Sequence, residues 1–471
     1  MSNNFAIIMQ LVVVVMAILI NEATCLIKIS LDSGISSKLT NLLQENVSLG
    51  KNISSQVTTL LQENVSIGNN ISSSLISLLK TYAIEPDYEF TLEDFIQYNL
   101  GLSNEDVHLN ATQLISKYNY PVEEHTVETS DGYLLTLIRI PNEGKPAVLL
   151  VHGILLSADD YITVGPESAL PYLLHKQGYD VWLGNVRGNK YSRKHVSLSP
   201  DSAEFWNYTW NDIGLYDLPS MINYTLSTTG KSNLTYIGYS QGTTAFFVMC
   251  SEIKCENMIS AMIALAPVAW FSHIKSPLLK VIADFSDELT TLSSLIGVNE
   301  FLPSDPFMTL TANVLCANAG LAAVLCSNLL FTLTGFDYDQ MNVTNLPVIY
   351  GHVPSGTSVK DLNHYGQNIK ANTFRKYDYG SDNINIYGTN EPPAYNITNI
   401  DVPVVLYYGD NDWLSVYDDI VNLINGLPNI IKVYRVPYDK FNHGDFMWAK
   451  DVKTLLYDDV LTVMQKYANF G

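Results

Sequence analysis

The sequence predicts an α/β protein in which helices cover both faces of a mostly parallel central sheet. Six short apolar runs, AVLLVHG, DVWLGNV, LTYIGYS, MIALAPV, PVVLYYGD and IIKVYRVP, are separated mostly by stretches of helix length. Runs that are apolar on both faces are typical of buried parallel strands, and their alternation with helices favours a sheet covered on both sides. This rhythm stops between residues 271 and 396, which favours a mainly helical cap inserted into the sheet domain.

The size and charge of the chain limit the possible functions. Its 471 residues are enough for one large domain with an inserted subdomain. The 26 Lys and Arg residues stand against 47 Asp and Glu residues, which gives a formal net charge of −21 at pH 7. Nucleic acids and anionic lipid surfaces would repel such a chain. We therefore expect no nucleic-acid partner.

Residues 1–25 are predicted to be a cleaved secretory signal. An apolar run at residues 5–20 is short for a membrane span, and small residues follow it at Ala23 and Thr24. A signal anchor is the alternative interpretation.

Ten Asn-x-Ser/Thr sequons support entry into the secretory pathway, where such sites accept glycans. Four of them lie near the N-terminus, at Asn46, Asn52, Asn64 and Asn70. The candidates in the remainder of the chain are Asn110, Asn207, Asn223, Asn233, Asn342 and Asn396.

Residues 26–108 are predicted to form an N-terminal extension with an internal repeat of 18 residues. The segment 42–59, LLQENVSLGKNISSQVTT, recurs at 60–77 as LLQENVSIGNNISSSLIS. Eighteen residues make five helical turns, so the apolar side chains of a straight helix would share one stripe. Gly50 and Gly68 weigh against that helix. Three interpretations stay open: a helical accessory or oligomerising segment, a glycosylated flexible spacer, and a removed propeptide.

The sheet domain is predicted at residues 109–270 and 397–471, on either side of the cap at 271–396. It begins with a short helix, ATQLISKYN, and continues with EEHTVET and YLLTLIRI around the turn residues SDG, which is the pattern of a β-hairpin. The cap contains LLKVIADF and CANAGLAAVLCSNLLFTL, which predict helices and either an apolar pocket or a hydrophobic core of the cap itself.

Four cysteines lie beyond the N-terminal extension, at Cys250, Cys255, Cys316 and Cys326. An even number in an oxidising compartment favours local disulfides, most simply Cys250 with Cys255 and Cys316 with Cys326. Zinc is the weaker interpretation, because no Cys-x-x-Cys pair or nearby histidines accompany them. We expect no metal.

A candidate nucleophile follows the strand LTYIGY directly, in the pattern Gly238-Tyr239-Ser240-Gln241-Gly242. A serine in a sharp strand-to-helix turn needs small neighbours, because the backbone is strained and the helix packs tightly against the strand. The acid and the base should then come after later strands, in that order. Asp412 and His443 meet this expectation, and Asp410 is the nearest rival for the acid.

Two backbone amides are predicted to stabilise the oxyanion of such a reaction. One is the amide of Gln241, which directly follows Ser240, and the other is the amide of Ile154, in the loop after AVLLV. His152 lies in the same loop, and we expect it to be a buried, hydrogen-bonded structural residue.

Four segments resemble the acid lipase family, which includes the gastric and lysosomal acid lipases. They are HGIL at 152–155, GYDVWLGNVRGN at 178–189, GYSQG at 238–242 and NHGDFMW at 442–448. The resemblance runs from about Leu109 to the C-terminus. It implies an α/β-hydrolase fold with a cap and lid, no cofactor, and hydrolysis of triacylglycerols or sterol esters.

The resemblance also implies roles for individual positions. The nucleophile, acid, base and two oxyanion amides fall on Ser240, Asp412, His443, Ile154 and Gln241. Cys316 and Cys326 occupy the place of the family's cap disulfide. Two positions depart from the pattern: Tyr239 stands where the gastric and lysosomal enzymes carry histidine, and Thr334 where a further cysteine is found. These departures leave the substrate preference and the pH optimum open.

The predicted function is therefore hydrolysis of lipid carboxylic esters through a Ser-His-Asp triad and an acyl-enzyme. The expected location is extracellular, in the gut lumen, or lysosomal, and the expected partners are the lipid ester and, transiently, lipid droplets or micelles. Two alternatives stay open, a soluble carboxylesterase and a catalytically silent lipid-binding or storage protein on the same scaffold.

Overall fold

A computed structural model of the protein describes residues 104–284, 286, 299–304 and 330–467. The predicted signal at 1–25, both copies of the 18-residue repeat, the four N-terminal sequons, Cys316 and Cys326 lie outside the described residues. Within the described part of the chain, no helix is long and apolar enough to cross a membrane.

The centre of the molecule is an eight-stranded sheet. Its strands are β1 Glu123–Glu128, β2 Leu134–Ile140, β3 Ala147–Val151, β4 Asp180–Gly184, β5 Leu234–Tyr239, β6 Ile259–Leu265, β9 Val404–Tyr408 and β10 Ile430–Arg435; β7 Glu300–Phe301 and β8 Thr357–Ser358 lie outside it. The strand order is β1-β2-β4-β3-β5-β6-β9-β10. Only the pairs β1·β2 and β2·β4 of this sheet are antiparallel. The predicted mostly parallel sheet and its N-terminal hairpin are confirmed.

The inner strands are apolar throughout because both of their faces are covered. All five residues of β3 are buried. Val148 and Leu150 belong to one hydrophobic core cluster, whereas Leu149 and Val151 belong to a second. Since successive side chains of a strand point to opposite faces, the two clusters lie on the two sides of the sheet.

Most helices of the described residues lie between these strands in the chain, and several contribute side chains to the two core clusters. The helices are α1 Ala111–Lys117, α2 Leu170–Lys176, α3 Trp210–Asp212, α4 Leu218–Thr229, α5 Gln241–Glu252, α6 Pro277–Asp284, α7 Leu346–His352, α8 Val359–Ala371, α9 Asn383–Tyr387, α10 Tyr417–Gly426, α11 Asp445–Trp448 and α12 Asp458–Tyr467. A capping box between Asn110 and Gln113 begins α1.

Region 271–396 supplies helices α6 to α9. The sequence predicts no clear sheet strands here, and the structure adds one small feature: β7 and β8 pair antiparallel as a separate two-stranded ladder. Each strand has only two residues, which is too short to produce an alternating hydrophobic pattern. The boundaries of the cap stay a prediction.

Cys250 and Cys255 form the predicted disulfide. It joins the C-terminal end of α5 to the loop that leads into β6, and both residues are buried in the core. The bond therefore fixes the end of the helix whose beginning carries Gln241.

Candidate active site

Ser240 lies where β5 turns sharply into α5. Its backbone has φ 51° and ψ −117°, a conformation that residues with a side chain rarely adopt. Two glycines make the turn possible: a Cβ on Gly242 would lie 2.3 Å from the Val151 carbonyl oxygen, and one on Gly238 would lie 2.9 Å from the Gly242 carbonyl. The strand-to-helix turn expected from the sequence is therefore present.

The structure brings Ser240, His443 and Asp412 into one hydrogen-bonded line. His443 Nε2 lies 2.9 Å from Ser240 Oγ, and His443 Nδ1 lies 2.8 Å from Asp412 Oδ2. A carboxylate only accepts hydrogen bonds, so Nδ1 carries the hydrogen and Nε2 is left to accept the serine proton. The three side chains are buried, with Ser240 7%, His443 4% and Asp412 0% exposed. This arrangement can activate a hydroxyl as a nucleophile.

Asp412 is held by its own turn. Its Oδ1 accepts hydrogen bonds from the amides of Leu414 at 2.8 Å and Ser415 at 2.7 Å, while Oδ2 faces His443. Asp410 instead lies at the surface, where its Oδ2 accepts a hydrogen bond from Arg435 Nε at 2.7 Å. The geometry therefore favours Asp412 over Asp410 as the partner of the histidine.

Tyr239 contacts His443 in two ways. Its hydroxyl donates a hydrogen bond to the His443 carbonyl at 2.8 Å, and its ring centroid lies 5.1 Å from that of the imidazole. In the sequence this position is notable only as a departure from the family pattern. The structure shows that the strand carrying Ser240 also holds the backbone of His443.

The backbone carbonyl of Thr334 joins region 271–396 to the loops that carry Asp412 and His443. It accepts hydrogen bonds from the amides of Trp413 and His443, both at 3.2 Å. The next residue, Gly335, has φ 111°, and a Cβ there would lie 2.2 Å from the Asn411 carbonyl oxygen. Every residue type has a backbone carbonyl, so the sequence contains no signal for this contact.

Both predicted oxyanion amides come from segments that border Ser240. Gln241 is the first residue of α5, so its N–H has no acceptor within the helix. The loop after β3 passes close to the serine, because a Cβ on Gly153 would lie 3.0 Å from Ser240 Cβ. Leu155 has φ 63°, which turns the chain directly after Ile154.

His152 is buried and hydrogen-bonded, as expected. Its Nδ1 donates to the Gly153 carbonyl at 2.8 Å, and its Nε2 accepts from the Val186 amide at 3.3 Å and from Asn189 Nδ2 at 3.0 Å. Burial lowers the pKa of His152 to about 4, which keeps the ring neutral. The segment 178–189, which resembles the acid lipases, therefore stabilises the loop after β3 through its hydrogen bonds to His152.

Asp159 lies a few residues beyond that loop, in a buried network with region 271–396. Its Oδ1 accepts from the Tyr191 hydroxyl at 2.6 Å, and its Oδ2 lies 2.7 Å from His352 Nδ1 and 2.5 Å from Lys190 Nζ. Burial alone would raise the pKa of Asp159, but the Lys190 ammonium and His352 hold it well below its usual range. The carboxyl therefore stays ionised.

The neighbouring Asp160 has the opposite electrostatic character. Its Oδ2 accepts the Ser157 amide at 2.7 Å in a capping box. Burial raises the pKa of Asp160 to about 7, despite the opposing effect of Lys190.

Throughout the described residues, no group of three or more His, Cys, Asp or Glu side chains could hold a metal ion.

Five of the six described sequon asparagines are exposed, and the sixth, Asn233, is half-buried. The exposed ones are Asn110, Asn207, Asn223, Asn342 and Asn396. The Oδ1 of Asn110 accepts a hydrogen bond from the Gln113 amide at the beginning of α1. Its Nδ2 takes no part in that hydrogen bond. Glycosylation stays a prediction.

The chain matches known families over most of its described length. The model of the alpha/beta hydrolase fold matches residues 146–450, and that of a partial alpha/beta-hydrolase lipase region matches residues 111–165. Lipase 1 of Drosophila melanogaster is 39% identical over 367 residues, covering 77% of this chain and 81% of that protein.

Two mammalian relatives carry more specific names. Gastric triacylglycerol lipase of Rattus norvegicus is 38% identical over 378 residues, covering 78% of this chain and 94% of that protein. Lysosomal acid lipase/cholesteryl ester hydrolase of Homo sapiens is 36% identical over 373 residues, covering 77% and 92%.

Asp160→Asn is expected to stabilise the fold increasingly as the pH rises. The folded protein keeps a proton on Asp160 that the unfolded chain loses near pH ~4, so the wild type loses stability between about pH 4 and pH 7. The amide keeps an acceptor for the Ser157 amide and cannot ionise. Urea unfolding should give equal free energies near pH ~4 and an advantage of the variant on the order of a few kcal/mol near pH ~8.

The adjacent Asp159 provides a matched control for this measurement. Because its pKa is lowered, Asp159→Asn should destabilise the fold across the same pH range. A free-energy difference between Asp160→Asn and the wild type that does not change with pH would contradict the assignment of a buried, protonated Asp160.

Proposed function

Because this chain belongs to the acid lipase family of α/β-hydrolases and is a serine ester hydrolase, we propose that it is a lipase that acts on triacylglycerols, sterol esters or both. The observation that carries the proposal is the continuous hydrogen-bonded line from Ser240 through His443 to Asp412. The relatives' names, a triacylglycerol lipase and a cholesteryl ester hydrolase, supply the substrate classes.

In the proposed acylation step, His443 Nε2 takes the Ser240 hydroxyl proton while Oγ attacks the ester carbonyl carbon. Asp412 holds Nδ1–H and stabilises the imidazolium that forms. Collapse of the tetrahedral intermediate breaks the bond to the alcohol, which receives the proton from Nε2. A water molecule then attacks the acyl-enzyme with His443 again as the base, which releases the fatty acid and restores Ser240.

The developing negative charge on the carbonyl oxygen is proposed to be stabilised by the amides of Gln241 and Ile154. Both are backbone groups on segments that border Ser240. Such preorganised donors are worth most in a site from which water is excluded, and loss of one typically costs about two to three powers of ten in rate. The burial of all three triad side chains is consistent with that condition.

Ser240→Ala is expected to lower kcat/KM for ester hydrolysis by several powers of ten, because no other described group takes the place of its hydroxyl opposite His443. Asp412→Asn should lower it by about 10⁴, because the amide favours the wrong imidazole tautomer. Initial rates on a short-chain ester, together with labelling by a fluorophosphonate probe, measure both effects.

Asp410→Asn is the control for the acid. It removes a surface ion pair with Arg435 and should stay within about twofold of the wild type. Full turnover by the Ser240 variant, or a larger loss at Asp410 than at Asp412, would refute the assignment of the triad.

Lipase activity as opposed to soluble carboxylesterase activity is tested by the physical state of the substrate. A lipase should hydrolyse emulsified long-chain triacylglycerol or sterol ester, with a rate that rises where the substrate passes its solubility limit. A smooth saturation curve through that limit, without activity on the emulsion, would identify a carboxylesterase.

We further propose that the protein enters the secretory pathway and is secreted or lysosomal, as the names of the gastric and lysosomal relatives suggest. Exposure of five candidate asparagines is compatible with glycans at those sites. A peptide N-glycosidase should lower the apparent mass of the protein made in animal cells. An unchanged mass would argue against this route.

A further inference from the structure

The carboxyl of Asp361, in the first turn of α8, lies against the beginning of α5. Its Oδ2 accepts hydrogen bonds from Gln241 Nε2 at 2.7 Å and from Thr357 Oγ1 at 3.0 Å. The residue is completely buried. Burying a carboxyl costs free energy even when it is hydrogen-bonded, so its position beside Gln241 calls for a physical explanation.

The beginning of α5 lacks the side-chain cap that fixes many helix N-termini. Ser240 occupies the N-cap position, but its side chain makes no capping hydrogen bond and instead faces His443. Gln241 therefore begins the helix without that restraint. The Asp361 contact restrains this residue through its side chain, and its backbone amide is one of the two proposed oxyanion donors.

The same segment of region 271–396 reaches the second proposed donor. The amide of Ser355 donates to the Leu155 carbonyl at 2.7 Å, and Leu155 directly follows Ile154. Residues 355–361 thus contact both of the segments that supply the proposed oxyanion amides, the beginning of α5 and the loop after β3. This coincidence favours a role in holding the oxyanion hole over a contact that merely attaches α8 to the sheet domain.

We propose that Asp361 is a positioning residue of the oxyanion hole, which holds the backbone amide of Gln241 in place through the Gln241 side chain. The inference rests on the proposed function, because an oxyanion hole acts only if Ser240 attacks a carbonyl group. Burial raises the pKa of Asp361 to about 7, so at acidic pH the carboxyl is neutral and an amide of the same shape is a close substitute.

Asp361→Ala removes the acceptor and is expected to lower kcat about tenfold to 100-fold, with KM within about twofold of the wild type. The loss is smaller than the cost of removing a donor, because the amide is displaced and not deleted. Asp361→Asn keeps an oxygen for Gln241 Nε2 and should retain kcat within about threefold at acidic pH. Steady-state kinetics and the rate of inactivation by a fluorophosphonate probe should change in parallel.

Two further variants separate positioning from stability. Gln241→Ala should reproduce the loss of kcat, and the double variant with Asp361→Ala should lose no more than either single variant, because both break one contact. Thr357→Val removes the other donor to the same carboxyl oxygen and should lower kcat less than about threefold. Urea unfolding of each variant shows how much stability is lost independently of the rate.

An Asp361→Ala variant with the kcat of the wild type would overturn the inference, as would losses in the double variant that multiply. If Asp361→Ala does not fold, Gln241→Ala provides the test, since it breaks the same contact from the other side. An unchanged kcat in Gln241→Ala overturns the inference equally. A wild-type protein that neither hydrolyses esters nor reacts with the probe would overturn the proposed function itself.

Discussion

The arrangement of this site depends on the close approach of α5 to strands β3 and β5. A side chain at position 242 would collide with the Val151 carbonyl oxygen, and one at position 238 with the backbone of residue 242. Only glycine permits this contact, and the contact forces Ser240 into its strained conformation at the tip of the turn. The strain is maintained because β5 lies in the middle of an eight-stranded sheet whose core it helps to form. His443 and the loop after β3 therefore lie beside a serine whose position is fixed by the turn.

The region between residues 271 and 396 makes direct hydrogen bonds to the segments around the candidate site. The Thr334 carbonyl binds the amides of His443 and Trp413, the Ser355 amide binds the Leu155 carbonyl, and Asp361 binds the Gln241 side chain. Each contact ends on a segment that carries a candidate catalytic residue or a proposed oxyanion amide. Three of these four bonds come from backbone atoms, so they tolerate changes of side chain. Region 271–396 is therefore hydrogen-bonded directly to the loops that carry the candidate catalytic residues.

Buried ionisable groups make the folded state sensitive to pH in both directions. Burial raises the pKa of Asp160 and Asp361 to about 7 and that of Asp217 to about 6, so these carboxyls favour the fold at acidic pH. Burial also lowers the pKa of His152 to about 4 and of His364 to about 3. These two histidines therefore lower the free energy of unfolding as the pH falls below the usual histidine range, opposite to the effect of the three carboxyls. With a net charge of −21, the chain also loses self-repulsion as surface carboxylates are protonated.

The sequence by itself determined the parallel sheet, the hairpin and the local disulfide, and it predicted the order of the candidate nucleophile, acid and base, because these follow from apolar runs, turn residues and chain order. It favoured Asp412 as the acid but kept Asp410 as a rival, since both follow the same strand, and only the tertiary structure pairs Asp410 with Arg435 and Asp412 with His443. It also gave no sign of the contacts made by Thr334 and Asp361. Those contacts join residues distant in the chain through a backbone carbonyl and a single buried carboxyl. Their partners are decided by how region 271–396 packs against the loops around Ser240, which no local pattern records.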